Sequence, residues 1–264
     1  SYGEWSATRS LVNQLFRQTR EGCPWKSIAA FVPEASTSFL KDLAALKTLL
    51  LRGFCCFIHR LLWSSSFFPC CSGFDNGKGV ADSVDALDTV TVFDLNGNEL
   101  PISDIWKNRK AVVAFARHFG CVLCRKRADY LADKKDIMDA CQVALVLIGP
   151  GNVNQACTFY EQTKFKGEVY ADPSHSSYEA LNFVSGIATT FTPMAGLKIM
   201  QSYMEGYRQD WKLSSEKDTV ARGGWQQGGI IVAGPGKTNI SYIHRDKEAG
   251  DDPDIEDVLK ACCS

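Results

Sequence analysis

A chain of 264 residues that is 45% hydrophobic and 22% charged has the composition of a folded protein with a real core, which excludes a chain disordered throughout. A net charge of −1 supplies no excess of cations for a polyanion and argues against nucleic acid as a partner. The 11 cysteines are odd in number, and six of them form the adjacent pairs Cys55-Cys56, Cys70-Cys71 and Cys262-Cys263. A secreted disulfide framework spreads its cysteines along the chain, so this pattern favours a reducing compartment.

Residues 1–83 differ from the rest. They hold Ser and Cys clusters and an apolar stretch from Leu43 to Trp63, broken by Lys47, Arg52, His59 and Arg60. That stretch carries too many charges for a membrane span, which needs roughly 20 predominantly apolar residues. A helix near residues 40–63 is expected, packed on a domain, lying at an interface or serving as targeting sequence. Leu43 to Phe74 contains no Asp or Glu, as transit peptides do, whereas Glu4, Glu21, Glu34 and Asp42 break that pattern upstream. Residues 1–83 are therefore read as a transit-like or partly disordered leader, ending in the linker-like run 72–79.

From residue 84 the pattern alternates between strand and helix. Thr89 to Asp94 and Glu99 to Ile102 flank the turn signal Asn96-Gly97 and predict a hairpin. Lys110 to Ala116 is a continuous apolar run, expected for a central strand covered on both faces. A helix over Val122 to Ala140, with Ala128, Leu131, Ala132 and Ile137 as its apolar stripe, leads into a buried strand at Val143 to Ile148. Asn152 is placed to cap a helix running to about Lys164, followed by a short strand near Val169 to Ala171 and a helix over Ser176 to Phe183. Residues 185–224 read as a long loop or irregular insertion. Strands at Gly229 to Ala233 and Ile240 to His244, and a helix over Asp254 to Cys262 entered through Pro253, complete the chain. The predicted domain, residues 84–264, is an α/β thioredoxin-like fold: a central mixed sheet flanked by helices, opened by a hairpin and preceded by an extra N-terminal segment.

Cys121 and Cys124 fall between the central strand and its helix. A helix start leaves backbone N–H groups unpaired and carries partial positive charge, which favours thiolate over thiol. The three-residue offset lets one sulfur attack and the other resolve. Arg117, His118 and Arg125 crowd the same turn with groups able to stabilise a thiolate or polarise a peroxide oxygen. Lys126 and Arg127 read as a solvated helix face. A Cys-x-x-Cys is also half a zinc site, but no second pair at ligand spacing follows, so no metal is expected. Cys141 and Cys157 read as buried small apolar residues.

The runs FARHFGCVLCRKRADYL and YADPSHSSYEALNF, the segment GGWQQGGIIVAGPGKTNISYIHRDKEAGDDP and the closing helix resemble the peroxiredoxin-like 2 family, from the alkyl hydroperoxide reductase and thiol-specific antioxidant (AhpC/TSA) branch of thioredoxin-fold proteins. The resemblance spans about residues 84–264 and is strongest to plant, plastid-type members. It implies a thiol oxidoreductase of peroxidase type, an antioxidant acting on hydroperoxide or oxidised lipid. It further implies a thiol electron donor such as the thioredoxin or glutathione system, no cofactor, and a chloroplast location, with cytoplasm as the alternative.

Two analogies then nominate different nucleophiles. Peroxiredoxins place a Thr three residues before the peroxidatic Cys, which puts Cys121 in the Thr position and Cys124 in the Cys position; thioredoxins use the first Cys. Cys121 is preferred, because the sulfur nearest the turn is usually the more exposed, with Cys124 resolving. Thioredoxins carry a cis-Pro and peroxiredoxins an Arg where this chain has Trp225 to Gly229, which weakens a reading as a protein-disulfide reductase. Phe119, Gly120 and Gln227 are expected to line the substrate site, or else, for Gln227 and its glycines, to mark a tight approach of strand to loop. The competing function is a non-catalytic redox-sensing or binding module on the same fold.

Overall fold

A computed structural model describes residues 86–222 and 224–264. The leader expected over residues 1–83, with its helix near 40–63 and its linker, lies outside the described residues.

The predicted hairpin forms from β1 (Thr91–Phe93) and β2 (Glu99–Pro101), paired antiparallel. Asp94 closes the turn: its carboxylate accepts the backbone N–H groups of Asn96 and Asn98, and Gly97 takes φ +84°. That left-handed conformation favours glycine. The remaining strands are β3 (Lys110–Phe115), β4 (Val143–Gly149), β5 (Glu168–Ala171), β6 (Gly229–Ala233) and β7 (Ile240–Arg245). They form one mixed sheet in the order β2-β1-β5-β4-β3-β6-β7. The β3–β4 and β4–β5 pairs are parallel and β3–β6 and β6–β7 antiparallel.

The apolar run of β3 is explained by its position. Val112 and Ala114 face one core, and Ala111, Val113 and Phe115 face the other, so both faces of the central strand are buried. This is the thioredoxin-like arrangement expected.

Helices cover both faces. The first, α1 (Val122–Ala132), buries Leu123, Cys124, Arg127, Ala128 and Leu131, an i, i+1, i+4, i+5, i+8 stripe. The single helix expected over Val122 to Ala140 is instead two. The chain turns at Asp133 and Lys134 into α2 (Lys135–Ala140), and this rotation puts Met138 in the core while Ile137 is left 47% exposed. Asn152 caps α3 (Val153–Thr163) through a capping box with Gln155. After α4 (Ser176–Ala180), the segment read as loop or insertion contains four helices: α5 (Ile187–Thr190), α6 (Pro193–Met204), α7 (Trp211–Ser214) and α8 (Lys217–Arg222). Gly, Thr and Pro punctuation interrupts the periodicity here, and α5, α7 and α8 have six residues or fewer. The last helix, α9 (Ile255–Cys263), starts at Asp254, whose side chain accepts the Glu256 N–H.

Three side chains differ from the sequence expectation. Arg127 is not on a solvated face: it is 4% exposed and pairs with Asp246 at 2.9 Å and Asp252 at 2.5 Å. It sits three residues after Cys124 on the inward stripe of α1, so its charge must be matched inside. Lys126 does lie toward the surface, 2.7 Å from Glu205. Cys141 is not a buried apolar residue. It is exposed at the end of α2 and forms a disulfide with Cys263, with Cα atoms 5.5 Å apart, inside the range such a bond requires. Cys157 is partly exposed, and its thiol donates to the Leu95 carbonyl.

Removing one partner of a buried ion pair leaves an uncompensated charge, at a cost of about 3–5 kcal/mol. Arg127→Ala is expected to lose stability of that order, read as a lowered urea midpoint at unchanged slope; a midpoint within error of wild type refutes this role for the pair.

Candidate active site

The parallel register of β3 with β4 and its antiparallel register with β6 align three strand ends. Phe115 lies opposite Ile148 and opposite Gly229, so the loops after Phe115 and before Gly229 meet at the same edge. Gly228 permits that meeting: a Cβ there would stand 2.0 Å from the Phe115 carbonyl oxygen. The tight approach weighed for this stretch is thus present at Gly228. The cis peptide bond Gly234–Pro235 follows β6 at the other end of the strand.

Cys121 is the N-cap of α1 and Cys124 lies in its first turn. Both sulfurs are enclosed, with Cys121 2% and Cys124 5% exposed, so exposure does not distinguish them as expected. The insertion packs against the turn that carries them. Asp210 N–H donates to the Gly120 carbonyl at 3.0 Å, and Gln209 Oε1 accepts the Val122 N–H at 2.8 Å. Gly120 is pressed so closely on α7 that a Cβ would meet Ser214 Oγ at 2.4 Å.

Arg117 is the centre of the site. Its Nε donates to the Gln226 carbonyl at 3.1 Å, and Nη2 donates to the Gly224 carbonyl at 3.0 Å and to Thr190 Oγ1 at 3.2 Å. Nη1 points at Cys121 Sγ, 3.5 Å away. The guanidinium is 6% exposed, and none of these partners is a carboxylate. A buried cation held only by neutral oxygens favours an anion beside it. Among its partners only the Cys121 sulfur can become one.

The two cysteines accordingly ionise differently. A hydrogen bond from the Cys124 thiol holds Cys121 well below the usual thiol range, against the opposing effect of burial and with help from Arg117. The same bond, with burial, pushes Cys124 well above that range. Cys124 Sγ also accepts the Arg117 backbone N–H at 3.1 Å, which orients the thiol.

The other candidates occupy distinct places. His118 is 6% exposed, its Nδ1 has no hydrogen-bond partner among the described residues, and burial lowers its pKa to about 4, so it is a neutral imidazole at neutral pH. Arg125 donates its backbone N–H to the Cys121 carbonyl at 3.0 Å, but its guanidinium is directed away from the two sulfurs. It binds Gln162 at 2.5 Å and Asp210 at 3.5 Å and lies over the Phe159 ring, tying α1 to the insertion. Phe119 faces the core rather than a substrate cavity, against Phe159 and under Gly149, where a Cβ would strike its ring at 2.4 Å. Gln227 is fully buried and donates to Thr190 Oγ1 at 2.8 Å, so it supports a ligand of Arg117. Thr190, Gly224 and Gln226, which hold the guanidinium, carry no sequence signal of their own. Tyr178 braces the strand ends by donating to the carbonyls of Ala116 at 2.6 Å and Ile148 at 3.2 Å.

The buried imidazole links stability to pH. Its folded pKa of about 4 lies below the ordinary value of 6.5, so its contribution is present above pH 6.5 and lost as pH falls toward 4, about 3 kcal/mol in all. Burial raises Asp246 to about 6 from 3.8, which acts in the opposite direction over pH 4–6 and flattens the wild-type curve. His118→Gln is expected to unmask a decline in stability with rising pH across that window, measured by urea melts at pH 4, 5, 6 and 7. Parallel curves for the two proteins would contradict the assignment.

The AhpC/TSA antioxidant enzyme family matches residues 130–248, a span that begins just after the cysteine pair. The chain is 76% identical over 193 residues to the chloroplastic thioredoxin-like protein AAED1 of Arabidopsis thaliana, covering 73% of this chain and 77% of the relative. It is 30% identical over 200 residues to human peroxiredoxin-like 2C, covering 75% and 86%. A prostamide/prostaglandin F synthase of Xenopus tropicalis is 29% identical over 167 residues, covering 63% of this chain and 80% of that one. The chain belongs to the peroxiredoxin-like 2 proteins of the AhpC/TSA antioxidant family, and is a chloroplast member with a thioredoxin-like fold.

Proposed function

We propose that this protein reduces peroxide-type O–O bonds through a dithiol–disulfide cycle of Cys121 and Cys124. The observation that carries the reading is the buried Arg117 guanidinium, without a carboxylate partner among the described residues and 3.5 Å from Cys121 Sγ. Cys121 thiolate attacks one peroxide oxygen, the O–O bond breaks, and the alcohol leaves after taking a proton. Arg117 offsets the negative charge that builds on the oxygens as the bond lengthens. Cys124 then attacks the sulfenic acid, expelling water and closing the disulfide. An external thiol donor, of the thioredoxin or glutathione system, restores both thiols and is itself oxidised. Relatives named prostamide/prostaglandin F synthase support an oxidised lipid as substrate beside simple hydroperoxides. Arg125 is a positioning residue in this scheme, through Asp210.

The closure of both sulfurs favours a second reading, a redox-sensing module that reacts slowly and signals through its partners. The same assay separates the two. With tert-butyl hydroperoxide and a thioredoxin system, wild type is expected to turn over, Cys121→Ser to lose activity at least 100-fold, and Cys124→Ser to accumulate a dimedone-trappable sulfenic acid at Cys121. Arg117→Met should slow the first step at least tenfold. Unchanged peroxide consumption in Cys121→Ser, or a sulfenic acid trapped only on Cys124, overturns the proposal; wild-type turnover no faster than free thiol supports the sensing module instead.

A further inference from the structure

The Cys141–Cys263 disulfide stands apart from the peroxide site. Cys141 precedes β4, whose Val143 lies opposite Lys110, the first residue of β3, and the Lys110 ammonium donates to the carbonyl of Ser264 at 3.0 Å. The Cys121/Cys124 pair follows the other end of β3. Six residues of strand, at about 3.3 Å each, separate the two sulfur sites, too far for direct exchange between them.

Three features distinguish this bond from an inert crosslink. Cys141 and Cys263 are both exposed, and an open cleft of about 420 Å³ reaches Gln142, the residue after Cys141, and is lined also by Arg109, Lys135, Lys166 and Glu168. A third sulfur, Cys262, sits 3.8 Å from the Cys263 sulfur but is 1% exposed, and its thiol donates to the Leu259 carbonyl. Burial raises its pKa, so Cys262 remains a thiol and a poor attacker on its neighbour. The bond also fastens a short element. Helix α9 has nine residues, a length that is marginal alone, and docks through Val258, Leu259 and Cys262 into the core that also contains Cys121 and Cys124.

We propose that Cys141–Cys263 is a second thiol–disulfide exchange site, a reversible latch on the C-terminal helix that is opened by an external protein dithiol independently of Cys121 and Cys124. One thiolate of the incoming dithiol attacks an exposed sulfur of the latch, the S–S bond breaks, and the other latch cysteine leaves as thiolate and takes a proton. The second thiol of the partner then resolves the mixed disulfide, leaving Cys141 and Cys263 reduced and the partner oxidised. Cys262 stays protonated throughout, so the latch does not rearrange into an adjacent Cys262–Cys263 disulfide.

The test uses the full chain, wild type and the Cys121→Ser/Cys124→Ser variant in parallel, so that a folding defect in the variant leaves the wild-type result readable. Free thiols are blocked in the oxidised protein, thioredoxin with its reductase and NADPH is added, and newly exposed thiols are labelled and assigned by peptide mass spectrometry. Cys141 and Cys263 should gain label together, at least tenfold over a control without thioredoxin and to the same extent in both proteins, while Cys262 gains none. Amide exchange in residues 255–263 should rise on reduction and return on reoxidation. Four results overturn the proposal: Cys141 and Cys263 blocked before reduction, label appearing only after denaturation, label dependent on Cys121 and Cys124, or reduction without a change in exchange over residues 255–263.

Discussion

A guanidinium buried among neutral oxygens is the constraint on which the site depends. Arg117 could have been neutralised by a carboxylate, as Arg127 is ten residues later by Asp246 and Asp252. Instead it is held by two backbone carbonyls and a threonine hydroxyl and directed at a sulfur. The contrast assigns the two arginines opposite duties. Arg127 satisfies the core; Arg117 leaves its charge available to Cys121.

The sheet makes that possible by register rather than by local sequence. Opposing Phe115 with Gly229 brings Gly224 and Gln226 to the turn that carries Arg117, more than a hundred residues earlier in the chain. The insertion supplies Thr190 and the covering contacts from Gln209 and Asp210 to the start of α1. One contact, the Gln209 side chain on the Val122 amide, occupies a helix N–H that would otherwise be free to face a thiolate. The thiolate is therefore governed by Arg117 and by the Cys124 thiol more than by the helix end alone.

Much of this was legible in the chain. Hairpin, buried strands, Asn152 cap and closing helix follow from period-two and period-3.6 patterns and from turn residues, and the Cys-x-x-Cys stands at a strand-to-helix junction that pattern alone locates. What local reading missed is long-range. Nothing near Cys141 announces Cys263, 122 residues away. Nothing in Arg127 announces its burial except its place on the stripe with Cys124 and Leu131. The neutral state of His118 follows from enclosure by the fold; of the four helices in the insertion three have six residues or fewer, and α6 leaves Met194, Leu197, Met200 and Met204 exposed and buries only Ala195 and Ser202, so no apolar stripe marks it. Gln227, expected either to line the substrate site or to mark a tight approach of strand to loop, donates to Thr190 Oγ1, a partner of the guanidinium.

The proposed chemistry requires that Cys121, not Cys124, carry the negative charge. The direct measurement is the pH dependence of iodoacetamide alkylation, resolved by peptide, on the fully reduced protein and on Cys121→Ser and Cys124→Ser. Cys121 is expected to react with a midpoint well below the 8.5 of a free thiol, Cys124 to stay unreactive until high pH, and Cys124→Ser to keep a depressed Cys121 midpoint because Arg117 remains. A depressed midpoint on Cys124 that survives in Cys121→Ser, with Cys121 titrating as an ordinary thiol, would contradict it.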